Sequence, residues 1–505
     1  MSVATFLSRI LGLVREQVTA AFFGAGANTD AFWVAYRIPN LLRDLFAESI
    51  FSSAFLPIFT EIRQKDEAAA KRLLWSTFTL LAILTGIISL LIMIFAPQVT
   101  MLFAPKFAHD PQKFELTVLL TRIMAPFLVL VSLAALFMGV LNSLKIFFVP
   151  SLAPAFFNVL MILSIVFLPP WLKKQGIHEI VSMAIGVISG GILQMLVQVP
   201  QLLRRSYGPT GPIKILSRET KRIIGRMSIG SIGVAASEIN LLINTILATS
   251  TVVGAVSWLN YAFRIFQFPV GIFSVSLSGS NLVHFSEEWK AGNKEKAVEY
   301  LRISYLLSWM IMVPSTVFLY ATANETIHLI YQRGLFSQND TLMCTQAFCL
   351  YLLGLPFYGL YKIFAPVFYV FDKPQIPVFI SVSTIVINVI FCLLLVPHFG
   401  FQVLAFGATL TMLLNSLAQA FFLRRFLELK ASFFLDGRVL KILLMGVISF
   451  ILSKWLIAQY FNFDHHLVNK IMVYLLVGAV TALVYVGGLM LLGEGQILKK
   501  IIKRK

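Results

Sequence analysis

What most constrains this chain is a succession of fourteen apolar segments, at about 2–24, 29–60, 73–97, 113–142, 150–168, 179–203, 223–249, 254–284, 299–321, 341–370, 375–396, 402–423, 439–459 and 470–492. A bilayer's hydrocarbon core is crossed by a helix of about 20 residues, and each of these runs reaches roughly that length. With no water in that core, every backbone amide must bond within its own segment, so segments of this kind span as helices. The longest runs exceed this length and imply tilt, or extension beyond the membrane. The chain is 58% hydrophobic and only 13% charged; soluble domains carry about 25% charged residues. So much apolar surface does not fit inside globular cores. The expected fold is an all-α polytopic membrane protein with fourteen transmembrane helices.

The formal net charge is +18, which on a soluble protein would suggest nucleic acid. Where the charges fall points elsewhere. Loops after even-numbered segments, counted with the segment ends that border them and the C-terminal tail, hold 27 of the 41 Lys and Arg. Loops after odd-numbered segments, counted the same way, hold six: Lys106, Lys113, Lys173, Lys174, Arg333 and Lys470. Basic residues stay on the cytoplasmic side, so the alternation supports the segment count and puts both termini in the cytoplasm, with no nucleic-acid partner. A miscounted segment would scramble the pattern downstream. The first segment starts at once and holds arginines that a signal-peptide core would not. Cys344, Cys349 and Cys392 lie in apolar stretches without metal-ligand spacing, which reads as helix packing rather than a disulfide framework. The "FDHH" stretch at 463–466 falls in a short outward loop and reads as solvated, so no metal site is expected.

The stretch "DAFWVAYRIPNLLRDLFAESIFSSAFLPIFTE" (30–61) aligns with "AVSWLNYAFRIFQFPVGIFSVSLSGSNLVHFSE" (255–287). Both have an aromatic start, an arginine followed by Ile, a proline, small residues and a closing Phe-Ser/Thr-Glu. The copies lie six segments apart and so share one orientation. That implies parallel repeats about an axis along the membrane normal, with a cavity between two lobes. The expected division is an N-terminal lobe over 1–205 (segments 1–6), a C-terminal lobe over 206–430 (segments 7–12), and segments 13 and 14 with a basic tail over 431–505.

Eight basic residues fall inside segments. Arg122 and Lys454 lie near helix ends, where long side chains reach the headgroups; Lys362 is open to either reading. Arg9, Arg15, Arg37, Arg43 and Arg264 are harder to place, because an arginine at a helix centre costs about 2.5–3.5 kcal/mol on insertion scales. Each needs water, a counter-charge or an anionic ligand. The nearby acids are Glu16, Asp30, Asp44 and Glu48. Asp30 and Arg37 are seven apart, share a helix face and are expected to pair. Pro39 is expected to interrupt the second helix. Ser8 and Arg15 also share a face, and Gly12 leaves room for a bend or close approach that brings Arg9 and Arg15 to one site. Five arginines against four acids leave a cationic surplus, which favours an anion site. The planar guanidinium fork suits carboxylate or phosphate. No Gly-rich P-loop, metalloprotease signature or serine elbow occurs, so the chain is not expected to be an enzyme.

The stretches "SRILGLVRE" (8–16), "FGAGANTDAFWVAYRIPNLLRDLFAES" (23–49), "AFLPIF" (54–59), "NTILAT" (244–249), "SWLNYAFRIFQFPVGIF" (257–273) and "YQRGLFS" (331–337) carry a resemblance. On them the chain resembles the MurJ (MviN) lipid II flippase family, within the multidrug/oligosaccharidyl-lipid/polysaccharide exporter superfamily, from residue 2 to about 495. The resemblance implies fourteen helices in two lobes, the last pair forming a groove for a polyprenyl tail. It implies lipid II, undecaprenyl-pyrophosphate bearing a disaccharide-pentapeptide, as cargo moved by alternating access. It further implies a monomer in the bacterial cytoplasmic (inner) membrane, in contact with membrane lipids and associated with cell-wall synthesis proteins. By resemblance, Arg9, Arg15 and Arg264 contact the head group; Ser8, Asn40 and Arg43 complete the site; Asp30 and Glu48 gate it, with Gly12 and Pro39 structural. No cofactor is implied beyond a coupling cation (Na+ or H+) or the membrane potential, with Glu238, Asn240, Asn244 and Asn388 as candidates.

The chain departs from the pattern at Phe263 and Gln267, where acids are usual, and at "NLVHFSE" (281–287). These changes remove negative charge around Arg264. Three other readings stay open. A flippase for another polyprenyl-pyrophosphate oligosaccharide shares the architecture without the Ser8–Glu16 pattern. A cation-coupled drug exporter would favour cavity acids. A scaffold for wall-synthesis enzymes leaves the embedded charges unexplained.

Overall fold

The computed structural model describes residues 2–44, 50–209, 215 and 217–495. Among the described residues all regular structure is helical, and each of the fourteen expected segments is helical over its described part. Two compact units emerge, Met1–Ser257 with Arg333–Ser337, and Trp258–Gln332 with Gln338–Lys505. The first carries α1 (Ser2–Phe23), α2 (Ala27–Arg43), α3 (Ile50–Lys65), α4 (Glu67–Ile94), α5 (Ala96–Phe103), α6 (Pro111–Met124), α7 (Phe127–Ser143), α8 (Phe148–Phe167), α9 (Pro169–Lys174), α10 (Val181–Leu196), α11 (Val199–Arg204) and α12 (Arg218–Thr249). The second takes up α13 (Ala255–Lys290) from Trp258 and continues through α14 (Lys294–Ala321), α15 (Ala323–Tyr331), α16 (Gln338–Leu352) and α17 (Leu355–Val370). It ends with α18 (Gln375–Phe399), α19 (Gln402–Phe426), α20 (Gly437–Tyr460) and α21 (Leu467–Leu491).

Nine of the described helical stretches are long and apolar enough to cross a membrane alone, and ten if α16 and α17, bent by 41°, count as one. Prolines mark the breaks, at Pro126 between α6 and α7, Pro200 in the first turn of α11 and Pro356 in that of α17, because proline lacks the amide hydrogen that would continue the ladder. Pro39 behaves otherwise. Helix α2 runs through it to Arg43 without interruption, correcting the expected break.

Small residues set the closest helix approaches. Gly186 and Gly190 stand four apart on α10, facing α8; a Cβ at Gly190 would lie 2.9 Å from the Phe157 carbonyl oxygen, and one at Gly186 3.1 Å from the Met161 Cα. This is the small-xxx-small geometry by which membrane helices gain dispersion contact in place of a hydrophobic drive. Around it Phe32, Phe127, Phe157 and Met161 form a buried core with Tyr36 at its edge. In the second unit, Gly407 of α19 faces Asn388 and Cys392 of α18, and Gly359 of α17 faces Ser308 and Met312 of α14. Helices α20 and α21 pack on α14 through Leu307, Met310, Ile442, Met445 and Tyr485, while Leu475, Leu476 and Leu483 of α21 stay exposed.

One buried carboxylate ties the first unit together at the end where α2, α6 and α13 begin. Asp30 Oδ2 accepts from the Gly254 amide at 2.7 Å, and Oδ1 from the Ser257 amide at 3.0 Å and the Ser257 hydroxyl at 2.7 Å. The fourth donor is Lys113 Nζ at 3.3 Å from Oδ2, itself 3.9 Å from the Phe107 ring centroid. The expected Asp30–Arg37 pair is therefore replaced by Asp30–Lys113. In the first turn of α2, Asp30 meets the amides opening α13, and a buried lysine supplies the balancing charge. Lys113, expected in an exposed loop, is buried inside α6, because Asp110 caps that helix and Pro111 starts it.

At the start of α20, Asp436 caps the helix through the Arg438 amide and accepts from Arg302 Nε at 3.0 Å and Nη2 at 2.7 Å. Burial alone would raise its pKa, but the Arg438 amide and the Arg438 and Arg302 guanidiniums outweigh that and hold it at about 2 against an ordinary 3.8.

Two outcomes follow from these clusters. Either Asp30→Ala or Lys113→Met alone strands a buried charge and should cost about 3–5 kcal/mol, whereas the double variant should recover part of the loss; thermal unfolding in detergent reads the coupling. Because the Asp436 pKa is depressed on folding, its contribution is present above the ordinary carboxylate value and is lost as pH falls toward about 2. The Tm deficit of Asp436→Ala near neutral pH should accordingly shrink in acid.

Candidate functional site

Charge inside the first unit gathers on α1, α2 and α12. Arg15 of α1 is buried, pairs through Nη2 with Glu16 Oε1, and lies 5.8 Å from the Phe157 ring centroid. Its carbonyl accepts from the Thr19 hydroxyl at 2.9 Å. On α2, Arg43 grips Asp44 Oδ1 through Nε at 3.0 Å and Nη2 at 2.7 Å, and Arg37 lies one to two turns earlier. Facing them from α12, Glu238 is buried within electrostatic reach of Arg37, Arg43 and Asp44. Its Oε2 and the Asn244 Oδ1 are buried with no hydrogen-bond partner among the described residues. Three arginines and three carboxylates thus line one unit. Each carboxylate offsets the charge of a neighbouring arginine in a setting of low dielectric.

The other expected residues divide. Arg9 is exposed while Arg15 is buried, and α1 continues as one helix through Gly12, where a Cβ would meet only Asn158 Nδ2 at 3.6 Å. Gly12 therefore marks no obligatory close approach, and the two arginines differ in exposure. Ser8 contributes its carbonyl, which accepts from Asn158 at 3.2 Å. Asn40 uses its amide on the Tyr36 carbonyl at 2.7 Å. Glu48 lies outside the described residues. Arg264 is half-buried on α13 in the second unit. Beside it Phe263 packs on Phe266 and Tyr351 at 5.7 and 5.4 Å between centroids, so this position is given over to aromatic packing. Asn388 belongs to the second unit, buried against Gly407, whereas Glu238, Asn240 and Asn244 belong to the first. Among the described residues no three His, Cys, Asp or Glu side chains are placed to hold a metal ion.

Sequence reasoning overlooked Lys113. Its signal was local: a lysine two residues after an Asp-Pro helix start belongs to the helix, not to the loop.

The chain is similar to known proteins over most of its length. The profile of the family described as lipid II flippase MurJ matches residues 19–477. A lipid II flippase MurJ of Burkholderia cenocepacia is 35% identical over 418 residues, 82% of this chain and 80% of its own. A probable lipid II flippase MurJ of Buchnera aphidicola is 31% identical over 471 residues, 92% of this chain and 91% of its own. A solved lipid II flippase MurJ in an inward closed conformation superposes with a TM-score of 0.80 at 24% identity, covering 97% of this chain and 99% of that one. An inward-facing multidrug transporter of the MATE family gives 0.67 at 15% identity, over 83% and 94% of the two chains. The matched profile spans most of the chain, and these relatives align with it over most of their own length: the chain belongs to the lipid II flippase MurJ family.

Proposed function

We propose that this protein flips lipid II from the inner to the outer leaflet of the bacterial cytoplasmic membrane by alternating access, as a monomer with both termini in the cytoplasm. The observation that carries the reading is the set of arginine–carboxylate groups on α1, α2 and α12, buried at Arg15, Glu16 and Glu238 and half-buried at Arg43 and Asp44. A pyrophosphate presents several charged oxygens in one place, which is what forked guanidinium donors recognise best. In this reading Arg15 exchanges Glu16 for the pyrophosphate, and Arg43 exchanges Asp44. Arg9, Arg264, Ser8 and Asn40 contribute at the rim. When cargo leaves, the carboxylates take the arginines back, so the empty carrier never exposes bare charge to a low dielectric. The polyprenyl tail stays in lipid along α20 and α21, whose outward leucines are exposed.

The end of the first unit closed by Asp30 is, by the alternation of basic loops, the outer one. Opening there requires separating Asp30 from the amides of Gly254 and Ser257. Glu238, buried among the charges of α2, is the position where a proton or sodium ion would alter the cavity's charge and couple to the cycle; Asn244 lies on the same helix. Cell-wall synthesis proteins are the expected neighbours, receiving cargo at the outer leaflet. The sequence division into lobes at 205–206 and 430–431 belongs to this reading.

The test is complementation of bacteria depleted of their own lipid II flippase, with membrane expression confirmed for every variant and lipid II measured at the outer leaflet. Wild type and Arg122→Ala, an exposed arginine, should rescue. Arg15→Ala and Arg43→Ala should lower outer-leaflet lipid II by at least about tenfold, the scale of one lost charge-assisted contact. Failure of the wild type to rescue despite good expression would point to another polyprenyl-linked cargo. Rescue by every variant would make the arginines structural.

A further inference from the structure

Phe263 and Lys362 stand out in the sequence but have no task in the transport reading, and both belong to the second unit. On α13, Asn260, Phe263, Arg264 and Gln267 recur at three- and four-residue spacings and share a helix face; each is exposed or half-buried. Amide and guanidinium groups repeated along a membrane helix, and left uncovered by protein, face water rather than hydrocarbon. Phe263, 38% exposed among them, is therefore an aromatic ring presented to water. On α17, Tyr358, Tyr361 and Lys362 likewise share a face and are half-buried.

An unbroken run of ring contacts joins the two faces. Phe263 packs on Tyr351 of α16, Tyr351 on Phe266 at 5.9 Å between centroids, Phe266 on Tyr358 at 6.1 Å, and Tyr358 on Tyr361 at 6.2 Å. Phe266 and Tyr351 are buried and hold the outer three rings in place. Lys362 Nζ lies 5.4 Å and 5.8 Å from the ring centroids of Tyr358 and Tyr361. That contact accommodates a lysine inside a spanning helix and leaves its ammonium at the rim of the rings.

Flat apolar faces alternate here with hydrogen-bonding groups at their edges: the two tyrosine hydroxyls, the Arg264 guanidinium, the Asn260 and Gln267 amides, and Lys362. An acyl chain has no use for such groups, and a bare phosphate has none for the rings. A pyranose sugar needs both, because one of its faces is a set of C–H bonds and its rim is hydroxyl. Ligand sites are commonly lined by aromatic side chains with a few placed polar groups.

We propose that Phe263, Tyr358 and Tyr361 form a saccharide subsite in the second unit, on which the sugar rings of the cargo stack while Arg264, Gln267 and Lys362 bond their hydroxyls. The proposal rests on the transport reading above and deepens it, since the arginine–carboxylate groups of the first unit have nothing to offer a sugar face.

The test is equilibrium binding of three lipids to the purified full-length protein in detergent: lipid II, undecaprenyl-pyrophosphate bearing the disaccharide alone, and bare undecaprenyl-pyrophosphate. Wild type should bind the disaccharide lipid at least about tenfold more tightly than the bare one. Tyr361→Leu and, separately, Phe263→Leu keep apolar bulk but lose the flat face. In each, that preference should shrink to about threefold or less, with affinity for the bare lipid within about twofold of wild type. Tyr361→Phe, which keeps the ring, should hold most of the preference. Equal losses for all three lipids would make the rings structural supports and overturn the subsite, as would leucine variants that keep the full preference. Wild type that binds lipid II yet draws nothing from the disaccharide would overturn it too. Wild type that binds none of the three would overturn the cargo reading, and the subsite with it.

Discussion

A carboxylate withdrawn from water must be surrounded by donors, and at Asp30 four donors come from two distant parts of the chain. The amides of Gly254 and Ser257 open α13, the Ser257 hydroxyl adds a third bond, and Lys113 reaches across from α6. None of these partners is dispensable. Removing Asp30 leaves a lysine ammonium in a low-dielectric site, and removing the lysine leaves one charge where there had been a neutral pair. Geometry this demanding has two stable conditions, assembled or taken apart, and little in between. That is the property a gate requires, and it sits at the end of the first unit where α2, α6 and α13 all start.

The charges deeper in the same unit obey the same rule with a different outcome. Arg15 with Glu16, and Arg43 with Asp44, are neighbours in sequence, so each arginine carries its own counter-ion wherever its helix goes. In the proposed function such pairs give way to a stronger anion, and at Arg43 the displaced carboxylate keeps a basic neighbour, since Glu238 and Asp44 share one electrostatic neighbourhood with Arg37 and Arg43. Around these groups the helices are fixed by apolar contacts that ask nothing of water, such as the Gly186–Gly190 face of α10 against α8.

Much of this was legible in the sequence, and the failures have physical causes. The hydropathy of the segments and the alternation of basic loops specified an all-helical membrane protein, because bilayer thickness and backbone hydrogen bonding leave few options. Arg15 and Arg43 were recognisable as costly charges that need partners. The partner of Asp30 was not recognisable: seven-residue spacing named Arg37, which shares its helix, while the lysine that meets it lies 83 residues away. Helical periodicity reports only on neighbours within one helix. Proline spacing alone suggests a break at Pro39, yet its ring is tolerated within α2. The Gly-x-x-x-Gly of α10 was in plain view; its face could have been assigned from the spacing alone.

The central claim is that arginines in the first unit hold a pyrophosphate by exchanging it for their own carboxylates. The most direct measurement is equilibrium binding of undecaprenyl-pyrophosphate and undecaprenyl-monophosphate to the purified protein in detergent, for wild type and for Glu16→Gln. Exchange predicts that the pyrophosphate binds tighter than the monophosphate. It also predicts that Glu16→Gln, which removes the competitor at Arg15, binds the pyrophosphate more tightly by about tenfold, the worth of one displaced charge-assisted contact. Equal affinities for the two lipids, unchanged by Glu16→Gln, would contradict the account.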